Sequence, residues 1–189
     1  MRKTTLPLLF VASAVAAFAF SASRDAHALG PLSIEVAAKG GFATNPDGSN
    51  NQVNPLGGTI GGRAGVSILS FYGGIDGEYF FGGTEDNVTF HTVKYGVQLG
   101  YNLGIPLITV RPQVGLGNLT ISASAPGVSG IPDHSSFYAE PGVTALIAFG
   151  LFFVGADANA LLITTYPQSD GTNGFKAAFT AHGQVGVTF

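Results

Sequence analysis

Phe179-Thr180-Ala181-His182-Gly183-Gln184-Val185-Gly186-Val187-Thr188-Phe189 is the stretch that decides the fold. Its odd-numbered positions carry Phe179, Ala181, Gly183, Val185, Val187 and Phe189. Its even-numbered ones carry Thr180, His182, Gln184, Gly186 and Thr188. A repeat of two sends alternate side chains to opposite faces of a strand. The run is therefore read as a strand with one apolar and one polar face, and it stops on an aromatic residue of the apolar face.

The opposite end of the chain says where such a strand belongs. Arg2 and Lys3 precede an apolar stretch from Leu6 to Phe20, and Ala26-His27-Ala28 offers a small-x-small cleavage site. This is the pattern of a secretory signal peptide, expected over residues 1–28 and removed on export. Of the 189 residues, about 161 remain, which suits one domain over 29–189. The chain has no cysteine, so neither disulfides nor thiolate metal sites are available. After the expected signal, no apolar run approaches the roughly 18 residues of a spanning helix. A role in the membrane must then come from strands, and closed ones, because open sheet edges cannot face lipid.

Eight alternating segments are expected as strands: 31–43, 58–69, 71–82, 90–102, 107–119, 136–148, 151–163 and 175–189. The links between them alternate in length. Residues 44–57, 83–89, 120–135 and 164–174 are the longer ones; the others, near Ser70, at Leu103-Gly104-Ile105-Pro106 and at Phe149-Gly150, are tight. Short turns at one end and longer loops at the other are the rhythm of a transmembrane barrel. The expected fold is all-β: an eight-stranded antiparallel up-and-down transmembrane β-barrel.

Charge is scarce, at 10% of residues against about 25% in soluble domains. After residue 28 the only basic residues are Lys39, Arg63, Lys94, Arg111 and Lys176, and each falls on the polar face of an expected strand. Glu35, Asp76, Glu78, Glu140 and Asp157 share that face, while Asp47, Glu85, Asp86, Asp133 and Asp170 fall in loops. Without a basic patch, nucleic acid is not an expected partner. A soluble barrel with an apolar pocket would show the same alternation. Three features turn the polar face inward instead. It is too poor in charge for a soluble exterior. It is rich in glycine (Gly61, Gly65, Gly74, Gly96, Gly100, Gly115, Gly117, Gly142, Gly155), as a narrow lumen requires. Its charges also balance in sign, as buried charges must when pairing offsets desolvation. The ten charged residues are thus expected to form a lumenal ion-pair network. A turn between Ser70 and Phe71 would set Arg63 directly opposite Glu78, with Lys94 as a second partner of Glu78 and Arg111 serving Glu140.

Asp133-His134-Ser135-Ser136 holds acid, base and nucleophile types, but adjacent residues rarely converge as a triad requires. A polar loop is the expected reading there. His182 is expected to be a lumenal, hydrogen-bonded histidine. No two histidines have metal-ligand spacing, and no cofactor is expected.

With these residues in view, the chain resembles the small eight-stranded outer-membrane family typified by the OmpA transmembrane domain and OmpX. The resemblance covers the whole chain after residue 28. It rests on the strand–loop rhythm, on Ile108-Thr-Val-Arg-Pro-Gln-Val-Gly-Leu-Gly117 and Phe137-Tyr-Ala-Glu-Pro-Gly-Val143, and on the terminal Phe189. It implies a bacterial outer-membrane address, contact with lipid and lipopolysaccharide, and a monomer. It also implies that Val185, Val187 and Phe189 are read by the barrel-insertion machinery. The expected role is structural or interactional at the cell surface, with a polar, mostly closed lumen. A narrow small-solute channel is the alternative, and a lipid A-modifying enzyme the third. No cell-wall tether is expected, since the chain stops at Phe189.

Overall fold

The computed structural model describes residues 32–46, 53–85, 87–105, 107–127, 131–167 and 173–189. The expected signal peptide and the loop acids Asp47, Asp86 and Asp170 lie outside these residues. Nine strand segments follow in order: β1 (Leu32–Ala43), β2 (Gly57–Ile68), β3 (Phe71–Glu85), β4 (Val88–Tyr101), β5 (Leu103–Ile105), β6 (Ile108–Ser124), β7 (His134–Phe149), β8 (Phe152–Pro167) and β9 (Asn173–Thr188). Every neighbouring pair is antiparallel, and β1 pairs with β9, which closes the sheet. β4 and β5 are two segments of one barrel strand interrupted at Asn102, and both pair with β6. The fold is an eight-stranded up-and-down barrel. Phe189 completes the seam: its N–H donates to the Ile34 carbonyl, and its own carbonyl accepts from the Ile34 N–H, each at 2.9 Å.

Period-2 alternation becomes a burial pattern directly. Along β1, Leu32, Ile34 and Val36 are exposed while Ser33, Glu35, Ala37 and Lys39 are buried. The same inversion of the soluble rule runs round the barrel. One outward row reads Ile75, Val97, Leu116 and Ala139, from successive neighbouring strands. Outward aromatics gather at two levels. Phe71 packs edge-on against Tyr101 at 5.2 Å near the tight turns, and Tyr79 contacts Phe81 at 5.0 Å and stacks on His91 at 6.0 Å towards the loops.

Two sequence expectations are corrected here. The hairpin between β2 and β3 turns at Leu69-Ser70, with Ile68 opposite Phe71, so Arg63 faces Asp76 and not Glu78. Leu69 supplies the left-handed residue of that turn, at φ 56°. This shift of two in the pairing keeps every side chain on its expected face but changes its neighbour. The loops are also shorter than expected. β6 runs on to Ser124 and β7 starts at His134, while β8 reaches Pro167 and β9 starts at Asn173. Thr120 to Ser124 and His134 to Ser136 read as polar loop by composition, yet they pair residue by residue, for example Thr120 with Ser135.

Candidate functional site

The inward face carries the charges. Inward glycines make room for the large side chains among them. A Cβ on Gly65 or Gly74 would fall on the Tyr72 ring or its hydroxyl, and one on Gly96 on the Tyr138 hydroxyl. Both tyrosines therefore lie flat against backbone, Tyr138 fully buried. In this way a barrel barely wide enough for its own side chains accommodates two lysines, two arginines and five carboxylates.

Near the tight-turn end the centre is Glu35. Its Oε2 accepts from Arg63 Nη1 at 2.9 Å and from Arg111 Nη1 at 3.1 Å, and its Oε1 from Arg111 Nη2 at 2.5 Å. Arg111 also donates from Nε to Asn102 Oδ1 at 2.6 Å, and Asn102 donates to Ser67 Oγ at 3.0 Å. The Arg111 guanidinium lies 3.8 Å over the centre of the Tyr72 ring, a buried cation–π contact. Arg63 donates from Nε to Gln184 Oε1 at 2.8 Å and from Nη1 to the Tyr72 hydroxyl at 2.9 Å.

Halfway along the barrel a second group surrounds Lys94 and Lys39. Lys94 Nζ contacts Glu140 and lies 3.0 Å from Glu78 and 3.6 Å from Asp76. Lys39 Nζ contacts Glu78 and lies 3.4 Å from Asp76. His182 bridges the acids: Nδ1 is 2.6 Å from Asp157 Oδ1 and Nε2 is 3.4 Å from Glu78 Oε2. The Nδ1 contact is a hydrogen bond, and the Nε2 contact is a longer electrostatic approach. Glu140 accepts a further bond from Thr180 at 3.0 Å, and Asp157 one from Asn159 at 2.6 Å.

The carboxylates of Asp76, Glu78 and Glu140 come within 4.8 Å of one another, a spacing that suits a divalent cation. The ammonium groups of Lys39 and Lys94 already stand among them, so the chain itself supplies the positive charge. The structure thus brings nine of the ten expected residues into two linked clusters. Lys94 does serve Glu78 as expected. Arg111 does not serve Glu140; it binds Glu35, and Lys94 takes Glu140. The reason is register: Gly115, not Arg111, lies opposite Glu140. Lys176 stands nearer the loop end, half-buried, opposite Ile163.

Towards the loop end the interior changes character. Leu56, Phe80, Leu119, Tyr138, Leu161, Ile163 and Tyr166 are buried together in one apolar cluster. Leu56 comes from the segment before β2, which folds inward. Asn54 donates from its amide to the Ala43 carbonyl at 2.9 Å and accepts from the Leu56 N–H at 3.0 Å. Thr92 donates to the Pro55 carbonyl at 3.0 Å, and the Gly83 N–H to the Asn54 carbonyl at 2.8 Å. Sequence reading missed this layer. Its signal was the inward phase of Phe80, Leu119, Leu161 and Ile163, each of which breaks the polar face.

The Asp133–Ser136 stretch forms no triad. His134 Nε2 and Ser136 Oγ each approach the Thr165 carbonyl at 2.5 Å, while Ser135 bonds Thr120.

No protein-family model matches the chain, and no curated protein sequence matches it. Solved structures do resemble it. Neisserial surface protein A aligns at a TM-score of 0.60 with 14% identity, covering 86% of this chain and 100% of its own. A major outer-membrane protein of Thermus thermophilus aligns at 0.57 with 10% identity, covering 84% and 99%. The N-terminal β-barrel domain of Pseudomonas aeruginosa OprF aligns at 0.50 with 18% identity, covering 83% and 97%. The fold is that of the small eight-stranded outer-membrane barrels.

Proposed function

We propose that this chain is a bacterial outer-membrane barrel whose interior is a closed plug, and that its role is structural or interactional at the cell surface. The observation that carries the reading is the filled interior. Lys39, Arg63, Lys94 and Arg111 are each engaged by buried carboxylates, and the Leu56 segment covers an apolar layer beyond them. Its loop end would face outward, with the hairpins β6–β7 and β8–β9 available to a partner. Lipid and lipopolysaccharide would meet the belt of exposed Val, Ile, Leu and aromatic side chains. The levels of the two aromatic groups support the membrane setting. Phe71 and Phe81 are ten residues apart on β3. At about 3.3 Å per residue and a tilt of about 40°, that is roughly 25 Å, the height of an outer-membrane apolar band. Phe189, outward at the seam, remains the proposed assembly signal with Val185 and Val187.

Planar-bilayer recording tests the plug. The protein is expected to give no sustained single-channel steps in concentrated potassium chloride, and Leu56→Asp is expected to stay silent because the ion-pair layer still seals the interior. Sustained steps from the unaltered protein would replace the plug with a narrow channel. The membrane setting has its own test. Val97→Arg, mid-belt, is expected to cost about 2–4 kcal/mol in lipid vesicles, and Ser124→Arg at the loop end close to nothing. Equal tolerance at the two positions would sink the outward-facing apolar belt.

A further inference from the structure

The tight-turn end has the wrong chemistry for water. Among the described residues, three non-glycine residues have positive φ: Leu69 at 56°, Asn87 at 65° and Leu107 at 74°. Asn87 turns the β3–β4 hairpin at the loop end, and asparagine is the ordinary residue for a left-handed turn in water. Leu69 and Leu107 hold the same strained conformation at the other end, where asparagine or glycine would hold it at less cost. Their side chains are mostly exposed, at 67% and 77%. The third turn repeats the choice: Gly150 takes φ 65°, and Leu151 beside it is 56% exposed. No Asp, Glu, Lys, Arg or His occurs in 68–71, 102–108 or 149–152.

A second observation concerns β5, which leads into the Leu107 turn. β5 pairs only with the start of β6 and has no strand on its other edge; Ile105 and Ile108 lie beyond the last β6–β7 pair, Thr109 with Leu146, and so extend past the rim. All three residues of β5 are exposed, Leu103 and Ile105 among them. Its outward apolar residues continue the barrel's belt without a break, through Phe71 and Tyr101.

We propose that the tight-turn end is a lipid-seated surface: Leu69, Ile105, Leu107 and Leu151 lie in the interfacial region of the near leaflet and anchor the barrel there. The occupant is phospholipid, at the level where headgroups meet acyl chains. Backbone strain at Leu69 and Leu107 is offset by transferring leucine side chains out of water. The inference rests on the membrane reading above, and it adds that the belt does not end at the lower aromatic level.

The chain contains no tryptophan, so a single introduced one reports on one place. Leu69→Trp, Leu107→Trp, Leu151→Trp and, as a mid-belt reference, Val97→Trp are to be folded into phosphatidylcholine vesicles brominated near the top of their acyl chains. The expected result is blue-shifted emission from all four, quenched by the bromolipid and not by aqueous acrylamide. If Val97→Trp is quenched by bromolipid but the three turn variants emit as in water and yield to acrylamide, the anchor is wrong while the membrane reading stands; that outcome would leave the apolar end to a protein partner. If Val97→Trp itself escapes the bromolipid, the membrane reading fails with it. Should a turn variant not fold, Ile105→Trp, in ordinary strand conformation, takes its place. Leu107→Asn adds a sign. Asparagine relieves the backbone, so in water the urea midpoint should rise; in the interface the lost apolar side chain should lower it. A lowered midpoint in vesicles is expected, and an equal or raised one overturns the proposal.

Discussion

Glu35→Gln is expected to be the most damaging single substitution in the barrel interior. Glu35 is the shared anion of Arg63 and Arg111, receiving three guanidinium contacts between 2.5 and 3.1 Å. The amide keeps the shape and removes the charge, leaving two guanidinium groups facing each other without an anion. Removing one partner of a fully buried pair costs about 3–5 kcal/mol, since the remaining charge keeps its desolvation penalty. Here two charges are left, with only neutral partners remaining: Asn102 and the Tyr72 ring for Arg111, Gln184 and the Tyr72 hydroxyl for Arg63. The double variant Glu35→Gln/Arg63→Met should recover a large part of the loss. Reversible urea unfolding in lipid vesicles supplies the cycle. A loss below about 1 kcal/mol, the scale of a solvated pair, would mean that water reaches the cluster. The same experiment decides the register. Coupling between Arg63 and Glu35 should be strong, and coupling between Arg63 and Glu78 much weaker.

Lys94→Met is expected to follow closely, again by about 3–5 kcal/mol. The thioether fills nearly the same space, so the change isolates the charge. Lys94 is fully buried and is the only described cation that reaches Glu140, while Lys39 still supports Asp76 and Glu78. Adding Glu140→Gln should therefore rescue more stability than adding Glu78→Gln. The folded fraction on a heat-modifiability gel, together with urea midpoints in vesicles, gives that ranking. Rescue by Glu78→Gln alone would place the essential partner of Lys94 on β3 and not on β7.

Much of this molecule was legible without coordinates. Faces followed from a period of two, because a strand has only two and one charged residue per strand suffices to label them. Glu35, Lys39, Arg63, Asp76, Glu78, Lys94, Arg111, Glu140 and Asp157 are all inward as the pattern required. Strand existence survived wherever β-branched and aromatic residues alternated with small ones. Strand ends did not, because Thr120, Ser122 and Ser135 pair as strand residues only when a neighbour is present to receive their backbone hydrogen bonds.

Strand count, the closed antiparallel topology and the side of the wall on which each charge stands were readable from the residues in order. These depend on local periodicity and on turn length, both written in consecutive residues. The identity of the ion pairs was decided by tertiary structure. A turn centred one residue earlier moved Arg63 from Glu78 to Asp76 in the register; Arg63 then meets Glu35 diagonally on the neighbouring strand β1, and Arg111 reaches it across the lumen from β6. Closure also brought β9 beside β1 and set His182 between Asp157 and Glu78. The inward fold of Asn54 to Leu56 was settled the same way. Leu56 is buried by residues of β3, β6 and β8, which lie far from it in sequence, so no local pattern around it marks its place.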